Sequence, residues 1–234
     1  MKIAYIVAAY FGARRVEAAA YRVEKLSYIK KHLKNLSTLN HNVSKIFFVI
    51  NEEAKYASET TKAKYIIDNY EDIECEIIVR ENLGMSYAAW NDVLQKHGHD
   101  YDYSFLIEDD YVPIVDNFDK KFIQYFDENE SLGYVCQLWW NNNGYHAGIA
   151  NGVLKMKSYF DAGGFKVGQH TGYESGQNNQ QTFLNYLTEK GYHVRDTGDR
   201  YRNFFLNHNS QIISYGNKDG EDLIVPIHES VKCV

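Results

Sequence analysis

Short apolar segments alternate with helical segments through the first half of this sequence, and the alternation restricts the fold strongly. The apolar segments have strand length and run from Lys2 to Ala9, Lys45 to Ile50, Glu74 to Arg80 and Tyr103 to Ile107. Helical patterns lie between them at Arg15 to Leu39, within Asn51 to Asn69, and at Ser86 to Lys96, where Ser86 is the expected cap. This order predicts an α/β fold with a mostly parallel sheet covered by helices on both faces. Ligands of such sheets bind at the carboxyl ends of the strands.

The second half of the sequence has a less regular pattern. It predicts a helix at Phe118 to Phe126, strands at Tyr134 to Leu138 and Val153 to Lys157, and a helix at Asn178 to Lys190. The tail after Arg195 favours a loop-rich segment that closes over a site, with an irregular surface as the alternative. At 234 residues the chain is long enough for one compact α/β domain.

The charge distribution argues against nucleic acid as the main partner. The formal net charge is -6, with 25 basic and 31 acidic residues. The densest basic group, Lys25, Lys30, Lys31 and Lys34, lies on a predicted helix that also carries Glu24. A nucleic-acid-binding face would instead concentrate positive charge on one surface.

The cysteines and the opening segment indicate a cytoplasmic protein. Cys75, Cys136 and Cys233 lie far apart without paired spacing, so neither a disulfide framework nor a zinc site is expected. The apolar run from Ile3 to Phe11 is short, and its basic residues follow it instead of preceding it. We therefore expect a buried strand there, not a signal peptide, and no transmembrane segment.

Three adjacent acids form what we call the acidic corner: Glu108, Asp109 and Asp110, directly after the apolar strand that ends at Ile107. Carboxylates this close repel one another unless a cation or a set of donors compensates them. A hard divalent cation with oxygen ligands is the usual compensation, and an acidic turn facing solvent is the alternative. The position at a strand end favours the cation.

The acidic corner, followed by Pro113, resembles the DxD region of family-2-type glycosyltransferases with the GT-A (nucleotide-diphospho-sugar transferase) fold. Other segments resemble that family's nucleotide-binding segments in the same order: Ala8 to Phe11, Asn51 with Glu52, and Arg80 to Gly84 continuing to Asn91. The resemblance covers roughly Ile3 to Val194. It implies one catalytic domain over residues 1–234, in which about 1–115 bind the nucleotide-sugar and about 116–234 form the acceptor half and the closing segment.

The resemblance also implies which residues bind the donor. It assigns the nucleotide-sugar to Ala9, Tyr10, Asn51, Glu52, Asn82, Gly84, Glu108 and Asp109. It assigns Mn²⁺ or Mg²⁺ to Asp110, with Glu108 and a late histidine, His228, as further ligands. Glu108 departs from the usual aspartate, and a lone histidine such as His228 is more often structural. Tyr10 is expected to stack on a base, whose edge Asn51 or Glu52 would contact.

The acceptor side is expected near Trp139 and Trp140, which precede three asparagines. An aromatic face beside amide groups suits a sugar ring, although a tryptophan directly after a strand is commonly buried in the core. The family's catalytic acidic pair falls on Asn179 and Gln180, and amides cannot act as general bases. Glu174 is the nearest acid and the predicted base, ahead of Asp161 and His170.

These observations leave three functions open. The first is a metal-dependent, inverting glycosyltransferase, of the hexosyl or a related class, that uses a nucleotide-sugar donor and a glycan or glycoconjugate acceptor. The second is a sugar-phosphate nucleotidyltransferase, whose glycine-rich basic loop is partly imitated by Gly12 to Arg15. The third is a non-catalytic carbohydrate-binding relative, which the amides at Asn179 and Gln180 favour.

Overall fold

The computed structural model describes residues 1–12, 18–141, 144–165, 183–196, 205–207 and 224–225. The side chains are described within 1–12, 25–136, 152–165 and 183–195. The strands are β1 (Ile3–Tyr10), β2 (Lys45–Glu52), β3 (Cys75–Glu81), β4 (Tyr103–Glu108), β5 (Tyr111–Pro113), β6 (Leu132–Asn141), β7 (Gly144–Lys155), β8 (His193–Asp196), β9 (Phe205–Asn207) and β10 (Ile224–Val225). The α-helices are α1 (Ala18–Thr38), α2 (Ala57–Asp68), α3 (Met85–His97), α4 (Phe118–Glu128), α5 (Met156–Asp161) and α6 (183–189).

Eight of these strands form one mixed sheet in the order β10-β8-β6-β7-β4-β1-β2-β3. β3, β2, β1 and β4 are parallel neighbours, β7 is antiparallel to both β4 and β6, β8 is parallel to β6, and β10 is antiparallel to β8. The predicted mostly parallel α/β sheet is therefore confirmed. β5 and β9 pair separately as a two-stranded sheet.

Hydrophobic side chains on both faces of β1 explain why its sequence is almost continuously apolar. Tyr5 and Val7 pack in one cluster with residues of α1 and α4, whereas Ile6 packs in the other with residues of α3 such as Trp90. Successive side chains of a strand point to opposite faces, so a central strand buried on both sides needs apolar residues throughout. Because β1 and β4 are parallel neighbours, their carboxyl ends lie side by side, and the acidic corner begins at the last residue of β4.

Two segments of the second half differ from the sequence-based prediction. β6 continues to Asn141 and forms a long hairpin with β7, whereas the pattern predicted a strand ending at Leu138. The strand predicted at Val153 to Lys157 ends at Lys155, where α5 begins. Met156 is buried and its N–H donates to the Asp102 carbonyl at 2.9 Å, which fixes the start of α5 against the beginning of β4.

The lysine group predicted to lie together on α1 is divided by the packing of the helix. Lys30 and Lys34 are exposed, but Lys25 is buried against the sheet. His32 is buried on the same side, among apolar residues such as Ile29 and Leu33. Within the described ranges, neither α1 nor any other helix combines the length and hydropathy needed to cross a bilayer.

Candidate functional site

The carboxyl ends of β3, β2, β1 and β4 meet at one edge of the sheet, which we call the carboxyl edge. Tyr10 pairs with Asn51 and Asn51 pairs with Arg80, while Ala8 pairs with Glu108. The structure thus brings the predicted donor-side segments together along four neighbouring strands. This is the edge at which ligands of open α/β sheets bind. Ala9 is at the same edge but is fully buried in the core.

Asp109 is buried within the protein, although it lies in the middle of the acidic corner. Lys25 Nζ donates to Asp109 Oδ1 at 2.5 Å, and the Tyr10 N–H donates to Oδ2 at 3.2 Å. The Asp109 N–H donates to the Ala8 carbonyl at 3.2 Å, and His32 Nε2 lies 3.1 Å from the Asp109 carbonyl. All polar atoms of this aspartate therefore have partners in β1 or α1. Burial raises the pKa of Asp109, and the Lys25 ammonium opposes that shift.

His32 is a neutral histidine within this buried group. Burial lowers the pKa of His32 to about 3, so the imidazole carries no charge near neutral pH. A carbonyl oxygen can only accept, so Nε2 carries the proton and donates to Asp109. Nδ1 then accepts from the Tyr5 hydroxyl at 3.4 Å. Burial also raises the pKa of Tyr5, which keeps the hydroxyl protonated.

Asp110 differs from Asp109 in its hydrogen bonding. Its Oδ1 is buried and has no hydrogen-bond partner among the described residues. Burial raises the pKa of Asp110 to about 7; the carboxylates of Asp109 and Glu108 add to the shift, and Lys25 opposes it. A buried carboxylate oxygen that lacks a donor costs free energy, which a bound cation would recover.

Glu108 contacts the beginning of α3. Ser86 Oγ donates to Glu108 Oε1 at 2.7 Å. The prediction that Ser86 caps the helix is wrong, because α3 begins at Met85 and its N-cap is Gly84, which makes no side-chain cap. Gly84 and Met85 both have left-handed backbone conformations, with φ of 75° and 55°. A methionine in this region is strained, and such strain is commonly retained beside functional groups.

A cleft of about 630 Å³ opens between the loops after β2 and β3. It is lined by Glu52, Glu53, Ala54, Glu81, Asn82 and Leu83. Glu53 organises this wall: its Oε1 accepts from Tyr10 Oη at 2.5 Å and from Asn82 Nδ2 at 3.0 Å, and its Oε2 pairs with Lys55 at 2.8 Å. Hydrogen bonds from Lys55 and Tyr10 lower the pKa of Glu53 to about 2. The acid is therefore ionised and fixed.

Tyr10 is held in place by its neighbours. A Cβ atom at Gly12 would lie 2.0 Å from Tyr10 Oη, so a larger residue at this position would displace the Tyr10 ring. The ring meets that of Tyr56 edge-on, with centroids 6.1 Å apart. Burial and Glu53 together raise the pKa of Tyr10, so the hydroxyl stays protonated.

Arg80 fixes the orientation of Asn51, which is 3% exposed. Arg80 Nη1 donates to Asn51 Oδ1 at 2.6 Å, Nη2 donates to the Leu83 carbonyl at 2.9 Å, and Nε donates to Asp92 Oδ2 at 2.7 Å. Because Oδ1 already accepts from a guanidinium, the amide nitrogen is the group that Asn51 has left to offer a ligand.

The β6–β7 hairpin places Trp139 and Trp140 beyond the carboxyl end of β4. β4 pairs with β7 only as far as Ile107 and Asn151, whereas β6 and β7 continue pairing to Asn141 and Gly144. The backbone of both tryptophans lies in that extension, on the side of the acidic corner. Their side chains are outside the described residues, so the expected sugar contact stays a prediction.

Three predicted residues, Glu174, His228 and His170, lie outside the residues that the structure describes, so their roles stay predictions. Asp161 is at the opposite, amino-terminal edge of the sheet, because β7 runs antiparallel to β4 and α5 follows its end at Lys155. There Asp161 Oδ2 accepts from Lys157 Nζ at 2.5 Å and from Tyr192 Oη at 2.5 Å. This position removes Asp161 as a candidate base.

Reasoning from sequence missed three residues of the site. Glu53 follows the predicted pair Asn51 and Glu52 directly, and its adjacency was the available signal. Lys25 and His32 are seven residues apart, two helical turns, which places them on one face of α1. Polar residues at that spacing on an apolar face indicate a buried contact. Among the described side chains, no group of three or more His, Cys, Asp or Glu is arranged to hold a metal ion.

Comparisons with known proteins show the fold. No protein-family model matches the chain, and a search of curated proteins found no match. Solved structures do match. CMP:2-keto-3-deoxy-manno-octonic acid synthetase complexed with CTP has a TM-score of 0.53 at 9% identity, over 83% of this chain and 88% of that chain. A cytidylyltransferase from Leptospira borgpetersenii has a TM-score of 0.52 at 12% identity, over 83% and 75% of the two chains.

A mannosyltransferase from Pyrobaculum calidifontis, in complex with GDP-Man and Mn²⁺, has a TM-score of 0.53 at 12% identity. The match covers 82% of this chain but only 53% of that one, so this chain spans about half of the mannosyltransferase. Identities this low show the fold alone. The chain has a GT-A-like fold of the kind found in nucleotide-diphospho-sugar transferases and cytidylyltransferases.

Proposed function

We propose that this chain is a metal-dependent, inverting glycosyltransferase that moves a sugar from a nucleotide-sugar donor to a hydroxyl of a glycan or glycoconjugate. The observation that carries the proposal is the buried Asp110 Oδ1, which has no hydrogen-bond partner among the described residues and lies beside Glu108 at the carboxyl edge. Carboxylate oxygens of this kind are the ligands that Mn²⁺ and Mg²⁺ prefer.

The residues present fit such a cation. Asp110 supplies one oxygen and Glu108 a second, and His228 stays a prediction as a third ligand. Mg²⁺ and Mn²⁺ sites in nucleotide enzymes commonly use one or two carboxylates and complete the shell with water and phosphate oxygens. A bound cation would neutralise charge on the diphosphate leaving group.

The cleft beside Tyr10 supports the assignment of the base and the ribose to this edge. Glu52 and Glu53 line the cleft, Glu53 holds the Tyr10 hydroxyl, and Asn51 has an oriented amide nitrogen on the neighbouring strand end. The beginning of α3 at Gly84 faces the acidic corner through the Ser86 contact, so its backbone N–H groups are near the expected diphosphate. Residues of about 1–115 would thus bind the donor.

The acceptor would bind in the half formed by residues of about 116–234. The β6–β7 hairpin extends past β4 on the same side as the acidic corner, which supports acceptor contacts from Trp139 and Trp140. Glu174 is proposed as the general base, because the described alternative, Asp161, is at the opposite edge. A base is needed since an acceptor hydroxyl is a poor nucleophile near neutral pH.

A thermal-shift screen tests the proposal. Nucleotide sugars are added singly with and without Mn²⁺, because a ligand that binds the folded state raises the melting temperature by linkage. We expect one nucleotide sugar to stabilise the protein only when Mn²⁺ is present, and Asp110→Asn to lose that response. Asp161→Asn, at the amino-terminal edge, is the matched control and should respond as wild type. Mass spectrometry of glycan acceptors then detects the transferred sugar.

A second candidate is sugar-phosphate nucleotidyl transfer. Two of the similar structures favour it, since they are a CTP-bound synthetase and a cytidylyltransferase. In that case a nucleoside triphosphate would stabilise the protein, and pyrophosphate would be released when a sugar phosphate is added. No response to any nucleotide would instead support a non-catalytic carbohydrate-binding protein.

A further inference from the structure

Asp109 is held by hydrogen bonds from two elements, β1 and α1. β1 contributes the Ala8 carbonyl and the Tyr10 N–H, and α1 contributes Lys25 and His32. The aspartate is 2% exposed. Each of its side-chain oxygens already accepts a hydrogen bond, so it has little capacity left for a ligand.

α1 contributes two polar residues where apolar ones would be cheaper to bury. Lys25 is 8% exposed, and His32 is fully buried. Burying a lysine is costly unless its charge is paired, and a well-packed apolar pair is often at least as stable as a buried ion pair. Stability alone therefore does not explain the Lys25–Asp109 pair. Its position at the acidic corner suggests a role in orienting that segment.

The backbone contacts of Asp109 restrict Asp110 directly. The peptide group is planar, so the direction of the Asp109 carbonyl sets the plane of the peptide that leads to Asp110. His32 fixes that carbonyl, and Lys25 fixes the side chain on the same residue. The Asp110 side chain therefore starts from a defined position, with Oδ1 lacking any partner in the described part of the chain.

We propose that Asp109 is a positioning residue: held by Lys25, His32 and the Tyr10 N–H, it orients the acidic corner so that Asp110 presents its carboxylate to the cation. The inference rests on the proposed function, because it needs a cation at Asp110. It separates the three acids by role. Asp109 belongs to the interior of the protein and is not a ligand of cation or nucleotide, whereas Asp110 and Glu108 remain for the ligand.

Two double variants test this role. Lys25→Met/Asp109→Ala removes the side-chain contacts and both charges of the pair. Lys25→Met/Asp109→Asn also removes both charges but keeps a side-chain oxygen that can accept from the Tyr10 N–H. Lys157→Met/Asp161→Ala is the matched control, because it removes a lysine–aspartate pair at the other edge of the sheet. Each protein is titrated with Mn²⁺ alone, and free Mn²⁺ is followed by electron paramagnetic resonance.

We expect the Ala double variant to bind Mn²⁺ roughly tenfold more weakly or worse, as for loss of residues that orient metal ligands. The Asn double variant should stay within about threefold of wild type, because the amide preserves the orientation of the residue. Equal losses in the Asn and Ala variants would show that the Asp109 carboxylate itself binds the cation, and would overturn the proposal. If the Ala variant fails to fold, the Asn variant alone separates these outcomes.

Crystal structures without metal decide the positioning role independently of the cation. We expect the Asp110 carboxylate to move by more than about 1 Å in the Ala double variant and to stay in place in the control. An unmoved Asp110 would overturn the positioning role. Equal, weak Mn²⁺ binding by wild type and Asp110→Asn would instead remove the cation site of the proposed function, and the crystal structures would still test the positioning by Asp109.

Discussion

Two lysine–aspartate pairs of equal length lie at opposite edges of the sheet. Lys25 and Asp109 are 2.5 Å apart at the carboxyl edge, with side chains 10% and 2% exposed. Lys157 and Asp161 are also 2.5 Å apart, at the amino-terminal edge, but their side chains are 70% and 39% exposed. The second pair is a surface contact four residues apart on α5, whereas the first joins α1 to the end of β4.

The difference shows that the length of an ion pair does not determine what it does. An exposed pair is screened by water and contributes little to the free energy of unfolding. A buried pair exchanges hydration for mutual attraction, so removing one partner leaves an uncompensated charge in a poorly polar environment. The carboxyl edge therefore depends on its ion pair in a way that the amino-terminal edge does not.

The largest expected effect comes from breaking the buried pair on one side. Lys25→Met should lower the free energy of unfolding by about 3–5 kcal/mol, because Asp109 keeps its burial and loses its counter-ion. Lys25→Met/Asp109→Asn should recover most of this loss. Lys157→Met should unfold at the same denaturant concentration as wild type. Urea denaturation measures all three, and similar losses for Lys25→Met and Lys157→Met would contradict the comparison.

The next effect concerns donor binding and transfer at the carboxyl edge. Asp110→Asn should reduce transfer by roughly 100-fold to 1000-fold, as for loss of one group that stabilises charge in the transition state. Calorimetry should show that Mn²⁺ no longer strengthens donor binding. The fold should be intact, because Asp110 makes no described side-chain hydrogen bond through Oδ1. Unchanged donor affinity in the presence of Mn²⁺ would mean that Asp110 is not the cation ligand.

A smaller effect tests whether the base belongs to the carboxyl edge. Glu174→Gln should cut transfer by roughly 100-fold while donor affinity stays near wild type, as expected when a general base is removed. Asp161→Asn is the control, since that acid is at the other edge. Transfer rates at saturating donor, measured against pH with donor hydrolysis followed separately, give the result. Near wild-type transfer by Glu174→Gln would eliminate it and leave His170 as the remaining candidate.

The last effect is a change in the pH dependence of stability through His32. Burial lowers the pKa of His32 to about 3 in the folded protein. At pH values between about 3 and the ordinary pKa of histidine, the unfolded chain therefore binds a proton at His32 and the folded protein does not. Stability should therefore fall as pH falls through that window, by up to about 1.4 kcal/mol per pH unit from this residue. His32→Gln keeps a donor for the Asp109 carbonyl and should flatten the slope. Urea denaturation at a series of pH values measures the slope for wild type and His32→Gln, and equal slopes would contradict the prediction.

The fold was largely predictable because its signals are local. Continuous apolar strands such as β1 predicted a sheet buried on both faces, and the position of Glu108 at the end of β4 predicted the edge of the site. Predictions were wrong where one residue type fits two local structures. Serine commonly caps helices, but α3 begins at Met85, before Ser86, and the Ser86 hydroxyl donates to Glu108 instead.

The sequence by itself determined that three acids crowd the carboxyl end of a central strand, because strand pattern and residue order are properties of neighbouring positions. Only the tertiary structure decided which acid is satisfied within the protein. The partner of Asp109 is Lys25, 84 residues earlier in the chain, and nothing in the spacing of the acids distinguishes Asp109 from Asp110. Packing α1 against β1 and β4 makes that distinction, because it places the buried Lys25 against the carboxylate of Asp109.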